Sequence, residues 1–256
     1  MPREIARAAL GTGHQMRRRA TAQLVLAIVA IAAAGAAITL AILGRYQPSR
    51  ASTQSNRVDA LFLALSITSA VVFAVVMAVV VVAVLNFRAK PGDQSDGPPV
   101  HGNTRLEVVW TVIPALIIAV AGAYGWIVLV KDEKRPADRL VVNVYAQRFA
   151  WSYGYPQQGV KRSTQLVLPE GRTVEFRMRS KDVIHSFWVP DFRIKKDAVP
   201  GIVTDTLATP TRRGVFPVIC AELCGLGHNT MRSKVTVVKP GRWQSWIEQQ
   251  KRAVAP

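Results

Sequence analysis

Three charge-free apolar runs decide what this chain can fold into. They cover residues 20–44, 60–87 and 108–130. An α-helix rises 1.5 Å per residue, so about 20 such residues cross a bilayer core. Each run is long enough. Val and Ala dominate the second run, and valine is a modest helix former in water. In lipid the backbone must satisfy its own hydrogen bonds, so a helix is still required. Trp110, Tyr124 and Trp126 sit near the ends of the third run, where aromatic side chains favour the membrane interface. Glu107 and Lys131 bound it. The second and third runs are joined by a polar loop rich in Gly, Pro and Asp, and they are expected to form a helix hairpin. The first run follows Arg17, Arg18 and Arg19. It reads as a retained helix, with a cleaved signal peptide as the alternative. Its length exceeds a signal's apolar region, and Leu40-Ala-Ile-Leu-Gly44 is a poor cleavage site.

Beyond Pro136 no apolar run of spanning length remains. Segments such as 139–145, 163–168, 172–179 and 234–238 cluster or alternate β-branched residues. Turn signals separate them, among them Pro169-Glu-Gly, Pro200-Gly and Pro240-Gly. Val174, Phe176 and Met178 share one parity; Thr173, Glu175, Arg177 and Arg179 share the other, which predicts a half-buried strand. Many short strands at this spacing predict a small β-sandwich or barrel. Residues 242–251 read as a closing helix with Trp243, Trp246 and Ile247 on one face. The expected organisation is therefore a basic N-terminus with a first helix (1–57), a helix hairpin (58–135), a β-domain (136–240) and a C-terminal helix and tail (241–256).

Charge narrows the partners. The formal net charge is +17. Residues 136–256 carry 19 Lys and Arg against 9 Asp and Glu, a net +10. With no basic helix, zinc finger or RNP-like aromatic motif, no nucleic-acid partner is expected. Attraction to anionic lipid headgroups is the plainer reading. The arginines ahead of the first run favour a cytoplasmic N-terminus, and three spans then put the β-domain outside the cell.

The chemistry is concentrated in residues 220–231. That stretch holds both cysteines of the chain, Cys220 and Cys224, together with His228 and Met231. The spacing is C-x3-C-x3-H-x2-M. Upstream, His185 lies in the strand-like run Val-Ile-His-Ser-Phe. Thiolate, imidazole and thioether are donors that copper prefers. Zinc would take a closed four-donor Cys/His site and leave the methionine without a role. One blue-copper ion would leave a cysteine without a role. Two thiolates can bridge two ions, each completed by an imidazole and a weak donor; the Glu222 carbonyl lies between the cysteines as one such donor. A C-x3-C disulfide remains the third reading of the same pair.

The chain resembles subunit II of haem-copper cytochrome c oxidase over about residues 55–250. The loop Cys-Ala-Glu-Leu-Cys-Gly-Leu-Gly-His-Asn-Thr-Met is similar to that family's C-x-E-x-C-G-x-x-H-x-x-M. Lys195-Lys-Asp-Ala-Val-Pro-Gly201 resembles its K-x-D-x-x-P-G turn, and Leu106-Glu-Val-Val-Trp-Thr-Val-Ile-Pro-Ala115 the start of its second membrane helix. The resemblance implies a membrane-anchored all-β protein, with transmembrane helices followed by a cupredoxin-like Greek-key β-sandwich. It implies a dinuclear copper centre, CuA. Cys220 and Cys224 would bridge, His185 and Met231 would complete one copper, and His228 with the Glu222 carbonyl the other. The Glu222 side chain would reach a magnesium ion shared with subunit I. Glu107 would lie at the mouth of a proton pathway. The implied role is electron uptake from cytochrome c and delivery to haem in the catalytic subunit of a proton-pumping oxidoreductase, in a multi-pass plasma-membrane complex with subunits I and III. This subunit alone makes and breaks no substrate bonds.

One position departs from the family. Phe149 stands where relatives usually have the tryptophan that takes electrons from cytochrome c, and Ala150 follows it. Trp151, Tyr153 and Tyr155 complete the aromatic stretch. With a basic outer domain, the expected donor is an acidic or membrane-tethered cytochrome c. Three rivals stay open: a copper-free quinol oxidase subunit, an anchored copper carrier, and a thiol-disulfide protein.

Overall fold

The computed structural model describes residues 22–39, 41, 47–88, 92, 99 and 101–254. The three arginines before the first run and most of the hairpin loop lie outside the described residues. Three helices are long and apolar enough to cross a membrane: α1 (Ala22–Thr39), α2 (Thr53–Phe87) and α3 (Thr104–Asp132). The described chain divides into two units. One holds α1 with most of α2 and α3; the other holds residues 48–61 and everything from Ala121 onward.

In the first unit, Gly35 of α1 lies close to α2. A Cβ built at Gly35 would stand 3.6 Å from the Ala70 Cβ. Ala74 and Ala78 form the buried face of α2, while its valines and phenylalanines point outward, as a lipid-facing surface requires. Small side chains allow such close helix contact where no hydrophobic effect drives it.

α2 begins at Thr53, ahead of its charge-free run, because a serine pair caps it. Ser52 Oγ accepts the Ser55 N–H at 2.9 Å, and Ser55 Oγ accepts the Ser52 N–H at 3.2 Å. Two orphan donors of the first turn are thereby satisfied reciprocally. At α3, Asn103 Oδ1 accepts the N–H groups of Arg105 and Leu106 at 3.1 and 3.3 Å, and Glu107 lies in the first turn.

The second unit is the expected β-sandwich. Its strands are β1 (Leu140–Gln147), β2 (Ala150–Tyr155), β3 (Val160–Ser163), β4 (Leu166–Pro169), β5 (Val174–Ser180), β6 (His185–Val189), β7 (Ile194–Ala198), β8 (Thr204–Ala208), β9 (Gly214–Cys220) and β10 (Arg232–Val238). One sheet runs β3-β2-β1-β5-β8 and the other β4-β10-β9-β6-β7. Pairs β1–β5 and β4–β10 are parallel. The core between the sheets is apolar; Phe176 and Phe187 meet there with ring centroids 5.3 Å apart. Burying each such ring contributes about 1.5–3 kcal/mol. Helix α4 (Pro240–Val254) closes the far edge with Trp243 and Ile247 buried and Trp246 packed against the core. The Trp243 Nε1–H donates to the Val167 carbonyl at 3.1 Å.

The strand parity read for β5 is present, with one difference. Val174, Phe176 and Met178 are fully buried, but Glu175 on the other face is buried too. Three arginines cover it: Arg135 at 3.3 Å, Arg177 at 2.9 Å, and Arg139. Burial works against its charge, but hydrogen bonds from Arg177 and Arg139 outweigh that and hold its carboxyl below the usual carboxylate range.

The segment ahead of α2 is built into this unit. Ala51 N–H donates to the Asp191 carbonyl at 3.0 Å, and the Ala51 carbonyl accepts from Thr211 N–H at 2.9 Å. Asp59, on the first turns of α2, accepts from Arg50 and Arg193, each at 2.8 Å. Arg57 meets Asp132 at the end of α3 at 2.6 Å.

Candidate metal centre

Adjacent strands of one sheet deliver the donors. β6 begins at His185, and its Phe187 lies opposite Cys220, the last residue of β9. β10 pairs with β9, and Cys220 N–H donates to the Met231 carbonyl at 3.1 Å, placing Met231 just before β10 at the same end. Ala221 N–H donates to the Ser186 carbonyl at 3.0 Å, which ties the loop to β6. Between the cysteines and Met231 the chain turns tightly on itself, with backbone bonds His228 to Gly225, Thr230 to Gly227 and Met231 to His228. Gly225 has φ +129°, a conformation that a side chain would strain.

The six predicted donors converge. Cys220 Sγ and Cys224 Sγ are 3.9 Å apart. Cys220 Sγ lies 3.9 Å from His185 Nδ1 and 3.3 Å from the Glu222 carbonyl oxygen. Cys224 Sγ lies 3.6 Å from His228 Nδ1 and 3.8 Å from Met231 Sδ. Metal–sulfur bonds of about 2.3 Å and metal–nitrogen bonds of about 2.0 Å, at tetrahedral angles, set donor atoms roughly 3.5–3.8 Å apart. The separations are therefore those of donors that can share a metal ion. The cysteines, His185 and Met231 are buried, His228 is half-buried, and the Glu222 side chain is exposed.

The Cys224 thiol is reluctant to ionise by itself. Burial first, then the neighbouring Cys220, pushes the Cys224 thiol up to about 11. Two adjacent buried thiolates need a cation between them, which a soft metal ion supplies.

Asp182 is a residue that the sequence reading missed. Its Oδ1 lies 2.8 Å from His185 Nε2, leaving Nδ1 to face Cys220. It also accepts N–H bonds from Arg148 and Val183, each at 2.7 Å. Burial opposes its charge, but these hydrogen bonds hold its carboxyl well below the usual carboxylate range. A carboxylate on the far nitrogen fixes the tautomer and orientation of a ligating imidazole. An Asp three residues ahead of the histidine was the available signal.

The aromatic stretch divides. Tyr153 and Tyr155 are fully buried core residues. The Tyr155 hydroxyl accepts from Val167 N–H at 2.8 Å and lies 3.0 Å from its carbonyl. Trp151 is buried edge-on to His185 and Phe187, with centroids at 6.2 and 5.6 Å. Only Phe149 and Ala150 reach the surface. The Phe149 ring lies against the metal loop: a Cβ at Gly227 would stand 2.6 Å from its Cδ2. Glu107 is in the first turn of α3, in the first unit, whereas the other candidate site residues belong to the second.

The family model for the periplasmic domain of cytochrome c oxidase subunit II matches residues 156–238, and the model for its transmembrane domain matches residues 41–127. The chain belongs to the cytochrome c oxidase subunit II family. Subunit 2 of Thermostichus vulcanus is 33% identical, over 82% of this chain and 80% of the relative. The Synechocystis subunit 2 is 29% identical, over 78% and 74%. A crystal structure of the periplasmic domain of subunit II from Bradyrhizobium japonicum shares 29% identity over 47% of this chain and 99% of that one, with a TM-score of 0.44. As a subunit II, the chain is part of a haem-copper oxidase, an oxidoreductase complex. Its N-terminal helices are membrane anchors, and its cupredoxin-like β-sandwich is the copper-bearing domain of the family.

Proposed function

We propose that this chain is the electron-uptake subunit of a proton-pumping cytochrome c oxidase. The observation that carries this reading is the pair of sulfurs 3.9 Å apart with an imidazole nitrogen beside each. Cys220 and Cys224 would hold two copper ions together, with His185 and Met231 on one and His228 with the Glu222 carbonyl on the other. Bound there, the coppers would take one electron at a time from a cytochrome c and deliver it to haem in subunit I, where oxygen is reduced to water. The protein keeps the donors still. Three are seated by sheet register, Asp182 holds the His185 ring, and burial keeps water from the sulfurs. Little rearrangement then accompanies a change of charge, and surrounding hydrogen bonds tune the potential.

Two further roles follow the same reading. The exposed Glu222 carboxylate is available to a magnesium ion shared with subunit I. Glu107 sits in the first turn of α3, where the helix dipole favours a carboxylate. Acids at the membrane edge are often functional, and we assign Glu107 to the mouth of a proton pathway. E107Q should slow steady-state oxidase turnover; unchanged turnover removes that role. On this reading the complex lies in the plasma membrane, multi-pass, with the β-domain outside and subunits I and III as partners.

The test is metal content and electron paramagnetic resonance of the full chain loaded with copper. Two coppers per chain with a mixed-valence signal are expected. A single copper, or a colourless protein with Cys220 and Cys224 joined, overturns the reading.

A further inference from the structure

The metal-bearing end of the sandwich carries exposed side chains that sort into an apolar centre and a basic margin. Leu226 is fully exposed and Leu223 is 79% exposed, both on the metal loop. Phe149 lies on the same loop, its ring against Gly225 and Gly227, and is 37% exposed. Ring and loop therefore form one surface, directly over the segment from Cys224 to His228. Large apolar side chains held together in water mark a site of interaction.

Beside them, the outward face of sheet β3-β2-β1-β5-β8 is cationic. The β1–β5 register sets Tyr145 beside Arg179, and the Arg162 guanidinium stands over the Tyr145 ring at 5.3 Å. Lys181 follows directly after β5, and its N–H bonds to Ala146 at the end of β1. Among the described residues, no carboxylate pairs with Arg162, Arg179 or Lys181. Two acids on this side are engaged within the fold, Glu175 by Arg135, Arg139 and Arg177, and Asp182 by Arg148 and His185; Glu222 on the metal loop is exposed and is assigned above to the face toward subunit I. These cations contribute no ion pair to the fold, and their field points outward.

We infer that this face docks an acidic c-type cytochrome, its apolar haem edge set on Phe149, Leu223 and Leu226 and its carboxylates facing Arg162, Arg179 and Lys181. The inference rests on the electron-uptake reading and specifies where and by what charge the donor is recognised. The phenyl ring supplies close contact and excludes water; it undergoes no redox step of its own. The cations raise the encounter rate and set orientation, and salt screens both effects.

The test uses the assembled oxidase and two probes: a strongly acidic and a strongly basic soluble c-type cytochrome. The wild-type complex should oxidise the acidic probe faster, with a rate that falls as salt is added. The triple variant R162E/R179E/K181E should lose at least about tenfold in kcat/KM with the acidic probe at low salt, the scale of electrostatic steering. It should gain with the basic probe. Turnover driven by a small-molecule reductant and the copper spectrum should both be unchanged. Preference of the wild type for the basic probe overturns the docking proposal while the copper spectrum leaves the electron-uptake reading standing. So does a triple variant with unaltered kcat/KM, which would mean that these cations serve lipid headgroups instead. A wild-type chain without the dinuclear copper signal overturns both.

Discussion

Replacing Gly227 with alanine tests the fit between the Phe149 ring and the metal loop. Gly227 has φ −92° and ψ 15°, the turn region on the negative-φ side that L-residues can occupy, so the substitution adds a methyl group without forcing a left-handed backbone. That methyl would stand 2.6 Å from Phe149 Cδ2 and 2.8 Å from Cγ and Cε2. Carbon atoms in contact prefer about 3.5–4.0 Å, so the ring must retreat by roughly 1 Å. Phe149 is partly exposed and can swing outward, so the cost falls in the lower half of the overpacking range, about 1–2 kcal/mol. If the clash is with the ring alone, G227A in an F149A background should be neutral to within about 0.5 kcal/mol. The four proteins of this double-mutant cycle can be compared by urea unfolding of the copper-loaded chain in detergent. Tryptophan fluorescence, to which Trp151, Trp188, Trp243 and Trp246 of the sandwich unit contribute, reports its unfolding, and visible absorption reports the site. Equal costs for G227A with and without the phenyl ring would refute the reasoning.

Three other substitutions probe separate links. M231L keeps volume and burial, so the fold should lose less than about 1.5 kcal/mol, while the visible spectrum and resonance signal of the copper-loaded chain shift. D182A frees the far nitrogen of His185 and should weaken copper retention about 10–100-fold, measured by competition with a chelator; D182N, which keeps an acceptor oxygen, should recover part of that. E175Q leaves Arg135, Arg139 and Arg177 facing a neutral group, and because those arginines are partly exposed the loss should be about 2–3 kcal/mol. The folded-state pKa of Glu175 lies below its ordinary value of 4.5, so its contribution is present above that value and is lost as pH falls below it. Wild type should therefore lose stability on acidification below about pH 4.5 more steeply than E175Q, as urea titrations at several pH values will show.

Residues whose partners lie nearby in sequence were legible from the sequence. The three membrane helices follow from uninterrupted apolar length, and the buried parity of Val174, Phe176 and Met178 follows from alternation. The cysteines, His228 and Met231 announce themselves within one loop. What escaped depends on contacts between distant positions. Glu175 reads as a solvent-facing residue because Arg135 and Arg139, which cover it, lie 40 and 36 positions away. The strands β2, β3, β7, β8 and β9 were not read; β7 is a charged edge strand, and Pro217 interrupts the pattern of β9. Thr53 begins α2 early because of a Ser52–Ser55 pair rather than hydrophobicity. Tyr153 and Tyr155 read as part of one aromatic stretch with Phe149, yet they pack in the core. The Phe149 contact needed two glycines on a loop that the sequence places far from it.

The six donors are unequal in how much of the chain must be in place before they meet. Cys220, Glu222, Cys224, His228 and Met231 belong to one continuous stretch, and a loop that has merely turned on itself can gather them. His185 sits 35 positions upstream of Cys220 and reaches it only once β6 has zipped against β9. One half of the centre is thus a property of local chain, and the other half is a property of the finished sheet. On the proposed two-copper reading assembly has an order: a first ion can be captured by the loop, whereas the second position comes into being with the fold. Loss follows the reverse course. Fraying of β6 withdraws His185 while leaving the other five donors together, so on the two-copper reading partial damage to this domain should yield a protein with one metal rather than none.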